Sequence, residues 1–200
     1  MSLIIAACSR AKIVIAGDTQ LNDDNGPISF TGMKVIPIGN STVAGLSGEY
    51  EGYMKVADYF SAKPELYSLS FQEKADTIIN ILINSGISCN FLLAGFEDSI
   101  SKVVCTGKDY RYRYNIELVS TGLVRTLLPP DITDAVCRPY FTSIQNLKTQ
   151  TINCICAASR ISQSVNDKIC GFEITPHDLQ CFTYGINYDD ISIHLTHGNS

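Results

Sequence analysis

The chain has 200 residues, 18% of them charged, and a formal charge of −5. At this length one domain with a substantial core is expected, because single cores stop growing at roughly 250–300 residues. Lys and Arg form no basic stripe, which excludes the electrostatic footprint of a nucleic-acid binder, and no apolar run approaches the ~20 residues that span a bilayer.

The chain opens "MSLIIAACSRAKIVIAGD". Residues 3–8 and 12–17 are apolar, β-branched runs separated by "SRA", the pattern of a hairpin buried on both faces. The "IAAC" at 5–8 resembles a lipoprotein cleavage box. Its apolar run of about six residues is shorter than the roughly 7–15 of a signal sequence and has no positive flank, so export is not expected. "GDTQLNDDNGPISFTGM" (17–33) is rich in turn formers and predicts a long polar loop. "KVIPI" (34–38) and "TVAGLSG" (42–48) complete a four-strand antiparallel beginning.

The period then changes. In 49–63, Tyr53, Val56, Ala57 and Phe60 have helical spacing, and 70–86 predicts a helix with a capping box at Ser70 and Glu73 and a stop at Gly86. Strands resume at 89–97, 100–107 and 110–122. After the loop "LLPPD" (127–131), residues 131–165 read as helical, with Ile152, Ile155, Ala158 and Ile161 on one buried face; 169–175 and about 178–196 return to strand. This order predicts helices on both sides of stacked antiparallel sheets.

The eight cysteines are dispersed through apolar stretches such as "TINCICAAS" (151–159). That usage predicts a reduced, cytoplasmic protein rather than a disulfide framework. His194 and His197 fall in the tail and His177 stands alone in "TPHD", so neither a zinc site nor a Ser-His-Asp triad is supported. Cys154 and Cys156 read as core, and Asp23 and Asp24 lack the ligand positions of a calcium loop. No metal and no cofactor is expected.

Ser2 is the first residue with chemical potential. An initiator Met is normally removed before a small residue, and a freed Ser2 would carry a hydroxyl beside an α-amine of pKa about 7.7–8.0, a nucleophile with its own base. "VIAGD" ends a buried strand in Asp18, and "GMKVIPI" starts another with Lys34. A cation beside the amine favours its neutral form, and a carboxylate beside the lysine stabilises the cation. On spacing alone Asp18 serves equally well as a turn cap and Lys34 as a strand-edge lysine. "AGLSGEYEG" (44–52) places Gly45 and Gly48 where a strand hands over to a helix, a junction whose N–H groups can bind an oxyanion. "VSTG" (119–122) adds two hydroxyls beside a glycine.

The spacing of Ser2, Asp18 and Lys34, with "LIIAA…KIVIAGD" between the first two, resembles the N-terminal nucleophile hydrolases, in particular proteasome β-subunits and bacterial HslV peptidases. The resemblance covers 2–48 well, 89–122 and 149–175 in part, and 123–148 and 176–200 poorly. It implies an α+β fold, an αββα four-layer sandwich in a single domain. It also implies a peptidase in which Ser2 attacks, Lys34 tunes the amine, Asp18 holds Lys34, the Gly48 N–H stabilises the oxyanion and Thr121 supports the amine. Serine replaces the family's usual threonine, and Ser162, Ser164, Asn166 and Asp167 compete for the places of its supporting carboxylate and serine. The implied partners are a peptide or protein substrate, further copies of the chain in a homo-oligomer or ring, and a separate AAA+ ATPase, with no nucleic acid and no membrane. The segments outside the resemblance leave open an amidase, acylase or peptide ligase of this superfamily, and a non-catalytic scaffold subunit that keeps the fold for assembly is a second alternative.

Overall fold

The computed structural model describes residues 2–23, 26–106, 116–119 and 122–186. Among these, two five-stranded antiparallel sheets stack face to face and helices cover both outer faces, which is the αββα sandwich.

The first sheet has the order β10-β1-β2-β11-β12, formed by β1 (Ile4–Cys8), β2 (Ile13–Asp18), β10 (Leu123–Leu127), β11 (Ile169–Ile174) and β12 (Leu179–Tyr184). The second has the order β5-β6-β7-β8-β9, formed by β5 (Val35–Pro37), β6 (Thr42–Gly48), β7 (Cys89–Glu97), β8 (Ile100–Cys105) and β9 (Glu117–Leu118). Every residue of β1 and β2 is buried. Alternation sends Ile4, Ala6, Cys8, Ile13 and Ile15 into the layer between the sheets, and Ile5, Ala7, Val14 and Ala16 onto the outer helical layer.

That outer layer over the first sheet is α4 (Leu147–Ser159), preceded by the short α3 (Asp134–Cys137). The second sheet is covered by α1 (Tyr50–Ser61) and α2 (Phe71–Ser85), which bury Val56 and Phe60, and Phe71, Ala75, Ile78 and Leu82. The α2 capping box forms as its sequence predicts, and Gly86 ends the helix in the left-handed conformation at φ 68°.

Several elements differ from the sequence expectation. The first four predicted strands do not share a sheet: β1 and β2 pair in one and β5 and β6 in the other. The predicted loop 17–33 contains a hairpin, β3 (Gln20–Asp23) with β4 (Gly26–Thr31). Its strands were hidden by polar composition, because they form a small separate sheet with little core to bury. Residues 123–127 form β10 on the free side of β1, where half-burial lets the strand carry Arg125 and blurs its apolar signal. The helix expected over 131–165 is broken: a short 3-10 turn containing Pro139 spans 138–140, and Asn146 takes a left-handed φ of 58° just before α4. Ile161 lies beyond the end of α4 and is 62% exposed, while Ile155 and Ala158 are buried as expected. All of 110–115 and of 187–196, expected as strand, lie outside the described residues, as do His194 and His197.

Candidate active site

Antiparallel pairing of β1 with β2 sets Ile4 opposite Gly17, so the start of β1 and the end of β2 lie side by side. Asp18 then turns its carboxylate onto the main chain. Its Oδ1 accepts the Leu3 N–H at 2.9 Å, its Oδ2 accepts the Gln20 N–H at 2.9 Å, and its own N–H donates to the Leu3 carbonyl at 3.2 Å. Lys34, the residue before β5, crosses from the second sheet and donates from Nζ to Asp18 Oδ2 at 2.7 Å. At Gly17 a Cβ would lie 3.3 Å from both the Leu3 carbonyl oxygen and Ile4 Cγ1, a tight approach, and 3.7 Å from the Lys34 Cβ, an ordinary contact.

The Asp18–Lys34 pair is almost entirely dry, at 0% and 3% side-chain exposure. Removal from water pushes the Asp18 carboxyl up and the Lys34 ammonium down. Each partner's charge, and for Asp18 the N–H groups of Leu3 and Gln20, pull back against that shift. The ammonium of Lys34 therefore releases its proton more readily than a lysine in water.

Ser2 precedes this pair and is 7% exposed. Its partner is Ser47, a residue that sequence reading did not single out. The Ser2 N–H donates to Ser47 Oγ at 3.2 Å, and the Ser47 hydroxyl donates back to the Ser2 carbonyl at 3.2 Å. The signal for it is parity. In β6, Val43 faces the other sheet and Ala44 and Leu46 face the helices, so Gly45 and Ser47 alternate toward β1. Gly45 lies under Ile4, where a Cβ would come 2.6 Å from Ile4 Cγ2. Two residues further along each strand, Ser47 meets Ser2.

Gly48 follows at the end of β6 with φ 138°, a backbone that only glycine adopts readily, and a Cβ there would stand 2.5 Å from the Ser88 carbonyl oxygen. The fold thus brings Ser2, Asp18, Lys34 and Gly48 to one end of the sandwich, on four chain segments.

Thr121 lies outside the described residues. Its neighbour Gly122 leads into β10, whose Leu123 pairs with Cys8 while Leu127 pairs with Ile4. The start of β10 thus lies beside the far end of β1, six residues or about 20 Å along the chain from Ser2 at ~3.3 Å per strand residue. The end of β10 nearest the start of β1 is Leu127, paired with Ile4. Of the residues competing for support roles, Asn166 reaches the site's frame. Its Oδ1 accepts the Thr19 N–H at 3.1 Å and the Lys168 N–H at 3.2 Å, fixing the chain just beyond Asp18. Ser162 is buried and accepts the Ser164 N–H at 3.0 Å within its own turn. Among the described residues no three His, Cys, Asp or Glu side chains gather to hold a metal ion.

No family model and no curated protein matches this chain. A solved structure does: the Gly-1 mutant of Anbu from Hyphomicrobium sp. strain MC1, with a TM-score of 0.71 and 12% identity over 95% of this chain and 89% of that one. This corrects the sequence resemblance to proteasome β-subunits and HslV peptidases, because Anbu is a proteasome-related protein of a different branch. At that identity the likeness carries the fold alone, an αββα sandwich of two antiparallel sheets between helical layers.

Proposed function

We propose that the protein hydrolyses amide bonds in peptides or proteins with Ser2 as an N-terminal nucleophile, once whatever precedes Ser2 is removed. The observation that carries this reading is the dry Asp18–Lys34 pair fastened to the main chain of Leu3. A buried ion pair is a weak device for stability, since apolar residues of similar volume usually serve as well or better. Its position beside a residue able to combine hydroxyl and amine supports a chemical role.

In the proposed reaction the Ser2 hydroxyl oxygen bonds to the substrate carbonyl carbon and its proton passes to the Ser2 amine. Lys34 keeps positive potential near that amine and favours its neutral form before attack, and Asp18 fixes Lys34. The Gly48 N–H is assigned to the developing oxyanion. The carbon–nitrogen bond then breaks, the ammonium returns its proton to the leaving amine, and water hydrolyses the Ser2 ester. Association of further copies into a homo-oligomer belongs to the same proposal; Met54, Tyr59 and Ile83, all partly exposed on α1 and α2, supply apolar surface for it.

The test is covalent. Protein released with Ser2 as its first residue is treated with a peptide vinyl sulfone and its mass measured. One adduct on Ser2, absent in Ser2→Ala and slowed at least about 100-fold in Lys34→Ala, is expected. Equal labelling of the Ser2→Ala variant, or none of the parent chain across a panel of such probes, would sink the reading.

A further inference from the structure

Ser47 is 3% exposed and makes two hydrogen bonds to one residue, both at 3.2 Å. A serine hydroxyl has one proton and two lone pairs. That proton is directed to the Ser2 carbonyl, so toward the Ser2 nitrogen Ser47 Oγ can act only as an acceptor. An amine at this position would therefore give one N–H to Ser47 and keep its lone pair unengaged.

We propose that Ser47 is a positioning residue that holds the Ser2 amine by one N–H, fixing the nitrogen's direction while leaving its lone pair available as the base. This rests on the amide-hydrolase reading above and adds to it a residue on β6. Among the described residues, the charged groups on the surrounding elements include Asp18 at the end of β2, Lys34 ahead of β5, Arg125 on β10 paired with Glu117, and Glu49 after β6 and Asp131 after β10, the last two exposed at the surface. Lys34 disfavours the protonated amine, whereas an acceptor favours it. Ser47 and Lys34 thus act on the amine in opposite directions.

Loss of the acceptor should lower the amine pKa by about half a pH unit or more, an effect within reach of one hydrogen bond. The experiment uses the full chain released with Ser2 first, labelled with ¹⁵N-serine, and follows the Ser2 amine by NMR across pH in the parent, Ser47→Ala and Ser47→Thr. The lower pKa is expected in Ser47→Ala and the parent value in Ser47→Thr, which keeps the hydroxyl. With a fluorogenic peptide, the acid limb of kcat/KM should move by the same amount in Ser47→Ala, with kcat reduced and KM within about twofold. If Ser47→Ala does not fold, Ser47→Cys, whose sulfur is a weaker acceptor, takes its place with a shift in the same direction. An unchanged amine pKa in a folded variant lacking the hydroxyl overturns the proposal. Absence of hydrolysis by the parent chain would instead overturn the hydrolase reading, and the amine titration would then decide the role of Ser47 alone.

Discussion

The Asp18 carboxylate takes hydrogen bonds from Leu3, Gln20 and Lys34, so removing one partner strands a charge in a dry place. Lys34→Ala should lower stability by about 3–5 kcal/mol at neutral pH, and Asp18→Ala combined with Lys34→Ala should cost less than the two single losses added, because the second deletion removes the stranded group. Urea denaturation of the three variants checks this, and strict additivity would show that the pair is not coupled. Asp18 and Lys34 were legible in the sequence because each sits where an apolar strand run meets a charged residue. Ser47 was not, because its role depends on which face of β6 meets β1, and that depends on how strands from two different sheets stack. Thr121 entered through the resemblance of "STG" to a family motif and lies outside the described residues.

Helix α2 begins where three bonds meet. Ser70 and Glu73 form the capping box, and Glu97 on β7 reaches across to accept the Phe71 N–H at 2.7 Å while pairing with Lys102. The Lys102 bond, then the Phe71 N–H, hold the Glu97 carboxyl below its ordinary pKa. A depressed carboxylate stabilises the fold above its unfolded pKa and loses that contribution as pH falls through the folded value. The difference in urea midpoint between the parent chain and Glu97→Gln should therefore be largest at neutral pH and shrink below about pH 4. Ser70→Ala should cost about 1 kcal/mol, read in the same titration. Capping signals and the periodicity of α1 and α2 are local, which is why both helices were readable. The β3–β4 hairpin and β10 were not, since a strand with one wet face or a free edge carries few of the apolar residues that mark a buried strand. In the same layer, Gly45→Ala would push a methyl into Ile4 and should destabilise by about 1–3 kcal/mol, since neither sheet can move away from the other without opening the core.

The alternation of strand and helix blocks was enough to expect two sheets between two helical layers, yet not which strands share a sheet. That division is set by long-range pairings such as β2 with β11, which no local pattern contains. Among the described residues no helix is long and apolar enough to cross a membrane. For the proposed self-association, sedimentation equilibrium should return a multiple of the 21.9 kDa chain mass, and a single-chain mass at micromolar concentration would remove that part of the proposal.

The pairing of Ile169 with Asp18, and the grip of Asn166 on Thr19, mean that the strand carrying the site's carboxylate is flanked by chain that is made much later. On a translating ribosome, β1 and β2 wait with open edges while more than a hundred further residues are added. The segment carrying Ser2 and Asp18 is thus made well before the strand that locks it in place. For that interval Ser2 lacks the enclosure it has in the folded chain, where its main chain is held by Ser47 and buried beside the Asp18 strand. The order of synthesis thereby leaves the Ser2 segment open until β11 is added.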